Sequence, residues 1–211
     1  MQAWVWFYPS DDFNTIPMNK RIIIIVSYCI LLLSATSCIN DIERITNYPY
    51  KVGDFYSEGG VMGIVYKVSD GGVHGMIISL NEAECAWGDT ILTQANDTMD
   101  AVKNMNIIKQ MDHWQQRFPA FYWCDSKNTN GITGWCLPSK HDWEEILENR
   151  FLIDETLIDI GAQSILGKTY WSSTEYSTHE AYHVDFILAE MQYYALKLNQ
   201  KSIYVRAISP F

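Results

Sequence analysis

Two β-rich runs, Val61–Val68 and Val73–Leu80, meet across Ser69-Asp70-Gly71-Gly72, and this hairpin signal constrains the fold more than any other feature. Asp-Gly reverses a strand readily, because the central positions of the favoured tight turn need positive φ. A strand closed on its neighbour in this way begins an antiparallel sheet. Beyond Leu80 the chain has no β-α-β rhythm. Asn96–Met111 reads as a helix, with Asp97 as its cap, Asp100 three residues on, and Ala101, Val102, Met105 and Ile108 on one face. Trp114–Trp123 is aromatic and irregular, and an Asn/Gly-rich loop comes after it. Ser139 opens a second helix: Pro138 precedes it, Asp142 stands at the third helical position, and Trp143, Ile146 and Leu147 recur at helical spacing. Asp154–Ile160 reads as a short helix stopped by Gly161. From Tyr170 the pattern turns strand-like, over Tyr170–Thr174, Ala181–Leu188, Met191–Leu198 and Ile203–Ile208. A hairpin, two main helices and then a run of strands make an α+β domain with an antiparallel sheet.

Of the 211 residues, 48% are hydrophobic and 19% charged, enough apolar material for a core and too much for a disordered chain. The 25 acidic residues outweigh the 15 basic ones, which excludes nucleic acid as the main partner because counterion release needs clustered positive charge. The longest apolar run, Ile22–Leu33, falls short of the roughly 20 residues of a membrane span. It reads instead as the centre of an export signal, with Met18-Asn19-Lys20-Arg21 before it and small residues after it. Ala35-Thr36-Ser37-Cys38 resembles a bacterial lipobox, with Ala where Leu is commonest. That resemblance implies acylation of Cys38 and makes the lipid bilayer a partner. Residues 1–17, with Trp4, Trp6, Phe7, Tyr8, Asp11 and Asp12, are aromatic and acidic where export machinery reads basic charge, so Met18 is the expected true start. The expected organisation is an extension at 1–17, a signal peptide at 18–37, a lipidated tether at 38–49 and a domain at 50–211. Asp41 and Glu43 resemble the acidic export signals of surface-exposed Bacteroidetes lipoproteins.

Three cysteines remain in the domain. Cys124 and Cys136 flank a Lys-Asn-Thr-Asn-Gly-Ile-Thr-Gly loop, and an exported chain permits a disulfide between them. Closing a loop of that size contributes about 3 kcal/mol in the chain-entropy picture. Cys85 is then a buried thiol, unless it pairs with one of the other two. No two cysteines have metal-ligand spacing, so no metal site is expected. His179-Glu180-Ala181-Tyr182-His183 is a literal H-E-x-x-H string, which in zinc hydrolases puts two imidazoles on one helical face. Here Tyr182, Val184 and Phe186 alternate with His183 and Asp185, which predicts a strand. Strand positions four apart lie about 13 Å from one another, too far to share one zinc. Neither Gly59-Gly60 nor Gly71-Gly72 has phosphate-cradling spacing, and no nucleophile elbow is present. Asp89-Thr90-Ile91 and Asp97-Thr98-Met99 resemble O-glycan acceptor tripeptides of Bacteroidetes.

Three blocks occur in order: Gly134-Trp135-Cys136-Leu137-Pro138-Ser139 running on to Trp143, Tyr170-Trp171-Ser172-Ser173-Thr174-Glu175, and Tyr204-Val205-Arg206-Ala207-Ile208. Together they resemble a domain family of Bacteroidetes lipoproteins, related to the Fibrobacter major paralogous domain and to the C-terminal domain of the Legionella collagen-like adhesin. Tyr50–Tyr56 and His74–Ile78 are similar to that family's N-terminal hairpin. The resemblance implies a C-type-lectin-like fold, two helices packed on a twisted antiparallel sheet with long loops, serving as a non-catalytic surface binding module without a cofactor. The calcium motifs of sugar-binding lectins are missing. Leu137-Pro138-Ser139 also resembles a block of the formylglycine-generating enzyme fold, but Cys136 replaces its arginine. Physically, Trp135, Trp143 and Trp171 suit a core. Ser172, Ser173 and Thr174 suit side-chain hydrogen bonds to loop backbone. Arg206 suits a buried ion pair with Glu145 or Glu175. The expected function is binding of a glycan, peptide or partner protein at the cell surface, with a zinc hydrolase using His179, Glu180 and His183 as the alternative.

Overall fold

The computed structural model describes residues 49–199 and 201–211, so the expectations for residues 1–17, for the signal peptide at 18–37 and for acylated Cys38 lie outside the described residues. The chain first forms a meander of β1 (Phe55–Glu58), β2 (Val61–Ser69) and β3 (His74–Ser79). Ser69 pairs with His74 across the predicted turn. Asp70, Gly71 and Gly72 have φ of 48°, 67° and 91°. Gly72 is needed twice over, since a Cβ there would also lie 2.3 Å from the Tyr50 carbonyl oxygen. Between Val65 and Lys67 the β2–β3 register shifts, and Tyr66 at this bulge is buried, donating its hydroxyl to Asp142 Oδ1 at 2.9 Å.

Next come β4 (Ala83–Glu84), a long loop, and α1 (Ala101–Lys109). The cap of α1 is Asp100, whose carboxylate accepts from Lys103 N at 2.8 Å. Asp97, the expected cap, instead accepts from Met99 N and Asp100 N in a turn of its own. The aromatic stretch expected to be irregular holds two short helices, α2 (Trp114–Arg117) and α3 (Pro119–Asp125), broken at Phe118 where φ is −129°. Pro119 opens α3 where its missing N–H costs nothing.

The second main helix, α4 (Lys140–Glu148), begins with the predicted capping box, Ser139 and Asp142 bonding each other's backbone N–H. It is followed by α5 (Arg150–Asp159), longer than expected, with Gly161 at φ 73° two residues beyond. The rest is β5 (Thr169–Glu175), β6 (Glu180–Asp185), β7 (Glu190–Leu196), β8 (Tyr204–Val205) and β9 (Ile208–Pro210).

These strands form two sheets, ordered β1-β2-β3-β9 and β4-β8-β5-β6-β7. The fold is α+β and its strand pairs are antiparallel, apart from a single parallel pairing of Tyr170 with Tyr204. One expected strand, Ile203–Ile208, is divided between the sheets: β8 lies in the second, β9 in the first, and Arg206-Ala207 carries the chain across. Ala207 N donates to Ser79 Oγ at 3.1 Å, and Ser79 N donates to the Ala207 carbonyl at 2.8 Å. Helix α4 packs on β5, β6 and β7 and also touches β2, so it spans both sheets. Its Trp143 is fully buried, stacked 5.2 Å from the Tyr170 ring. Trp87, Trp171, Phe118, Phe121, Tyr66, Ile64, Ile77 and Ile78 belong to the same core and are all essentially inaccessible to solvent. Burying each such side chain contributes about 1.5–3 kcal/mol before ordering entropy is charged against it. Among the described residues no helix is long and apolar enough to cross a membrane.

Candidate binding surface

The three sequence blocks meet in one place, and that place is the core. Trp143 donates its indole N–H to the Trp171 carbonyl at 3.0 Å, Trp171 to the Cys85 carbonyl at 3.0 Å, and Trp87 to the Ser172 carbonyl at 2.8 Å. Pro138 accepts at its carbonyl from Ser173 N at 2.7 Å, and Cys136 bridges to Ile208. Ser173 Oγ accepts from Asn104, and Thr174 Oγ1 donates to the Asp97 carbonyl at 3.0 Å. Leu137 and Val205 are fully buried in the same core. The polar atoms of these residues are therefore engaged in tying loops to strands, with Trp135 a further member at 6% exposure.

Two ion centres are buried in the domain, and the one around Glu175 holds the long loop between β4 and α1. Arg206 is fully buried, but its partner is neither Glu145 nor Glu175. Its Nε bonds Glu82 Oε2 at 3.1 Å, and its other nitrogens reach the carbonyls of Ser79 and Gln163. Glu82 also accepts from Lys168 and from Tyr170 Oη. Burial pushes the Glu82 carboxyl up, but the hydrogen bonds from Lys168 and Tyr170 and the nearby guanidinium outweigh it, leaving the pKa below its ordinary value. Glu145 pairs with exposed Lys67 instead. Glu175 belongs to the second centre, accepting from Thr93 N, Thr93 Oγ1, Gln94 N and, at 2.5 Å, Lys197 Nζ. Lys197 is wholly buried, 4.8 Å from the Trp87 ring centroid. Neither Glu82 nor Lys197 stands in a sequence motif, and the strand alternation at Leu196-Lys197-Leu198 points the wrong way, since both leucines are exposed.

The disulfide expected between Cys124 and Cys136 is not formed: Cys85, Cys124 and Cys136 are free thiols. The loop between them is closed by other means. Asn128 accepts from Trp135 N at 2.9 Å and donates to the Trp135 carbonyl at 3.0 Å. Burial pushes the Cys124 and Cys136 thiols up strongly and that of Cys85 to about 11. The H-E-x-x-H string lies on and just before β6, as the alternation predicts. Glu180 is the first strand residue, His179 is exposed in the bend before it, and His183 pairs with Trp171 and Gln192. Among the described residues no three metal-ligating side chains come together.

Among the described residues, two grooves are lined by parts of Gly134-Trp135-Cys136. One, of about 390 Å³, is lined by Lys67, Met76, Met99, Val102, Cys136 and Ile208. The other, of about 320 Å³, is lined by Met62, Leu80, Asn81, Lys127, Ile132 and Trp135. Both are mostly apolar; the first also carries Lys67, Asp100 and Asp142, and the second Lys127, Asn81 and Ser79.

Comparison with known proteins bears on the fold. Neither a known protein family nor a curated protein matches the chain. The chain is similar to a fimbrial protein from Bacteroides ovatus, whose crystal structure superposes on 76% of it with a TM-score of 0.57 at 15% sequence identity. The two share a fold. The chain spans about half of the fimbrial protein, 48% of its length, so the likeness concerns one part of that molecule.

Proposed function

We propose that the chain is a surface-exposed outer-membrane lipoprotein, held to the bilayer through acylated Cys38, whose C-type-lectin-like domain is a non-catalytic binding or adhesion module for a glycan, peptide or partner protein. The fold held in common with part of a fimbrial protein carries this reading. The lipobox-like Ala35-Thr36-Ser37-Cys38 supports the anchor. The grooves lined by parts of Gly134-Trp135-Cys136 support binding, being concave, largely apolar and provided with a few polar groups.

The test is made on the full chain in its native envelope. Protease added to intact cells is expected to remove the domain, and Cys38→Ala is expected to move the protein out of the detergent phase. Protection of the domain until the cells are lysed, or fatty-acid labelling that persists in Cys38→Ala, would overturn the surface-lipoprotein part. Stoichiometric zinc with hydrolytic activity, both lost in His183→Ala, would overturn the non-catalytic part.

A further inference from the structure

Lys127 occupies an unusual position in the second groove. Its ammonium stands 4.2 Å from the Trp123 ring centroid and 5.8 Å from that of Trp135, and it donates to Asn81 Oδ1. It forms no ion pair with a carboxylate among the described residues. The neighbouring cation, Arg206, shares its carboxylate partner Glu82 with Lys168. Half-buried, Lys127 has its pKa lowered by desolvation, with a further contribution from Arg206. A cation removed from water without a counter-charge is costly, and an incoming anion relieves that cost. The amide nitrogen of Asn81 has no hydrogen-bond partner among the described residues and stands beside the ammonium as a second donor. The remaining walls, Met62, Leu80, Ile132, Trp135 and Gly60, are apolar apart from Ser79.

We propose that this groove is a subsite for the C-terminal carboxylate of a peptide ending in an apolar residue, with Lys127 and Asn81 binding the carboxylate and Met62, Leu80 and Ile132 receiving the last side chain. One charge and one amide in a largely apolar groove match a ligand with a charged head and an apolar side. An acidic sugar matches it less well, because its hydroxyls would face Met62, Leu80 and Ile132 without partners, each unmatched one being a loss. The proposal rests on the binding-module reading and names the ligand class for one of its grooves.

The probe is N-acetyl-leucine added to the detergent-solubilised full chain, read by tryptophan fluorescence because Trp123 and Trp135 border the ammonium. A saturable change is expected, reduced in Trp123→Phe, which leaves Trp135 as the remaining reporter. N-acetyl-leucinamide, which lacks the carboxylate, is expected to bind at least tenfold more weakly, and Lys127→Gln to weaken N-acetyl-leucine by at least tenfold. Met62→Glu is a second variant at a half-exposed rim position. It places a rival carboxylate in the groove without touching the core, and is expected to weaken binding as much as Lys127→Gln while melting like the parent chain. Equal binding of acid and amide, unchanged binding in Lys127→Gln, or tenfold tighter binding of glucuronate than of N-acetyl-leucine would overturn the proposal. Protease accessibility on intact cells is independent of Lys127, so failure of the subsite with surface display intact refutes this inference alone.

Discussion

Glu82 accepts from Lys168, Tyr170 and Arg206, and the last of these has no contact with solvent. Removing the carboxylate charge leaves a buried guanidinium unpaired, a loss on the order of 3–5 kcal/mol. Glu82→Gln is therefore expected to lower the urea midpoint sharply at pH 7, far more than Glu145→Gln, whose partner Lys67 is exposed. The same carboxylate makes the fold acid-sensitive. Its pKa is depressed below the ordinary 4.5, so its contribution is fully present above that value and is lost as pH falls through the folded pKa. The acid limb of a stability–pH profile is expected to flatten in Glu82→Gln. Thiol chemistry gives a second prediction at this scale. With Cys85, Cys124 and Cys136 free, iodoacetamide under denaturing conditions without reductant is expected to alkylate all three, whereas in the native state at pH 8 Cys124 and Cys136 stay unlabelled, being buried and held protonated. A crosslinked peptide between Cys124 and Cys136 would contradict the structure.

Turns and caps decide the elements. At the β2–β3 hairpin, Gly71 and Gly72 both have positive φ, but a Cβ on Gly71 meets open space while one on Gly72 meets the Tyr50 carbonyl. Gly71→Ala is expected to cost about 1 kcal/mol, for φ alone, and Gly72→Ala clearly more, because the chain entering the domain must move aside. Thermal melts of the two variants check the order. These positions also show what a sequence can reveal. The hairpin and the Ser139 capping box were legible because their signals are local: a turn dipeptide, and a cap three residues from its partner. Helices α2 and α3 were not legible, since each is too short to show a helical period and they meet at a non-helical Phe118. The partner of Arg206 was out of reach for a different reason. Glu82 lies 124 residues away, and only the passage of Arg206-Ala207 between the sheets brings them together. Lys197 lies in a run whose alternation favours burying its leucine neighbours, yet Glu175 and the carbonyls of Ile91 and Thr178 draw the lysine inward. The grooves were illegible too, because Leu80, Asn81, Lys127 and Trp135 are neighbours only after folding.

At the scale of the whole molecule, the C-terminal segment does what no single strand does. It enters the second sheet as β8, crosses, and leaves as the edge strand β9 of the first, paired to β3. Phe211 comes directly after it, exchanging backbone hydrogen bonds with Gly75 and lying 5.3 Å and 4.6 Å from the rings of Tyr50 and Tyr56. Phe211→Ala is expected to cost about 1–3 kcal/mol from lost aromatic contacts and burial. Hydrogen exchange at Gly75 and Phe211 is expected to rise before that of β2, which distinguishes fraying of β9 from global unfolding. The cluster has a mechanical consequence. Tyr50, where the domain continues from the preceding chain, is gripped by the Gly72 carbonyl at 3.0 Å, by Glu58 through its hydroxyl at 2.6 Å, and by the Phe211 ring. Tension arriving along that chain is shared among these three holds before it reaches the β1–β2 ladder, so a domain pulled from its entry point resists peeling from the edge. Under flow or traction, Tyr50 rather than any strand is the place where the fold would begin to yield.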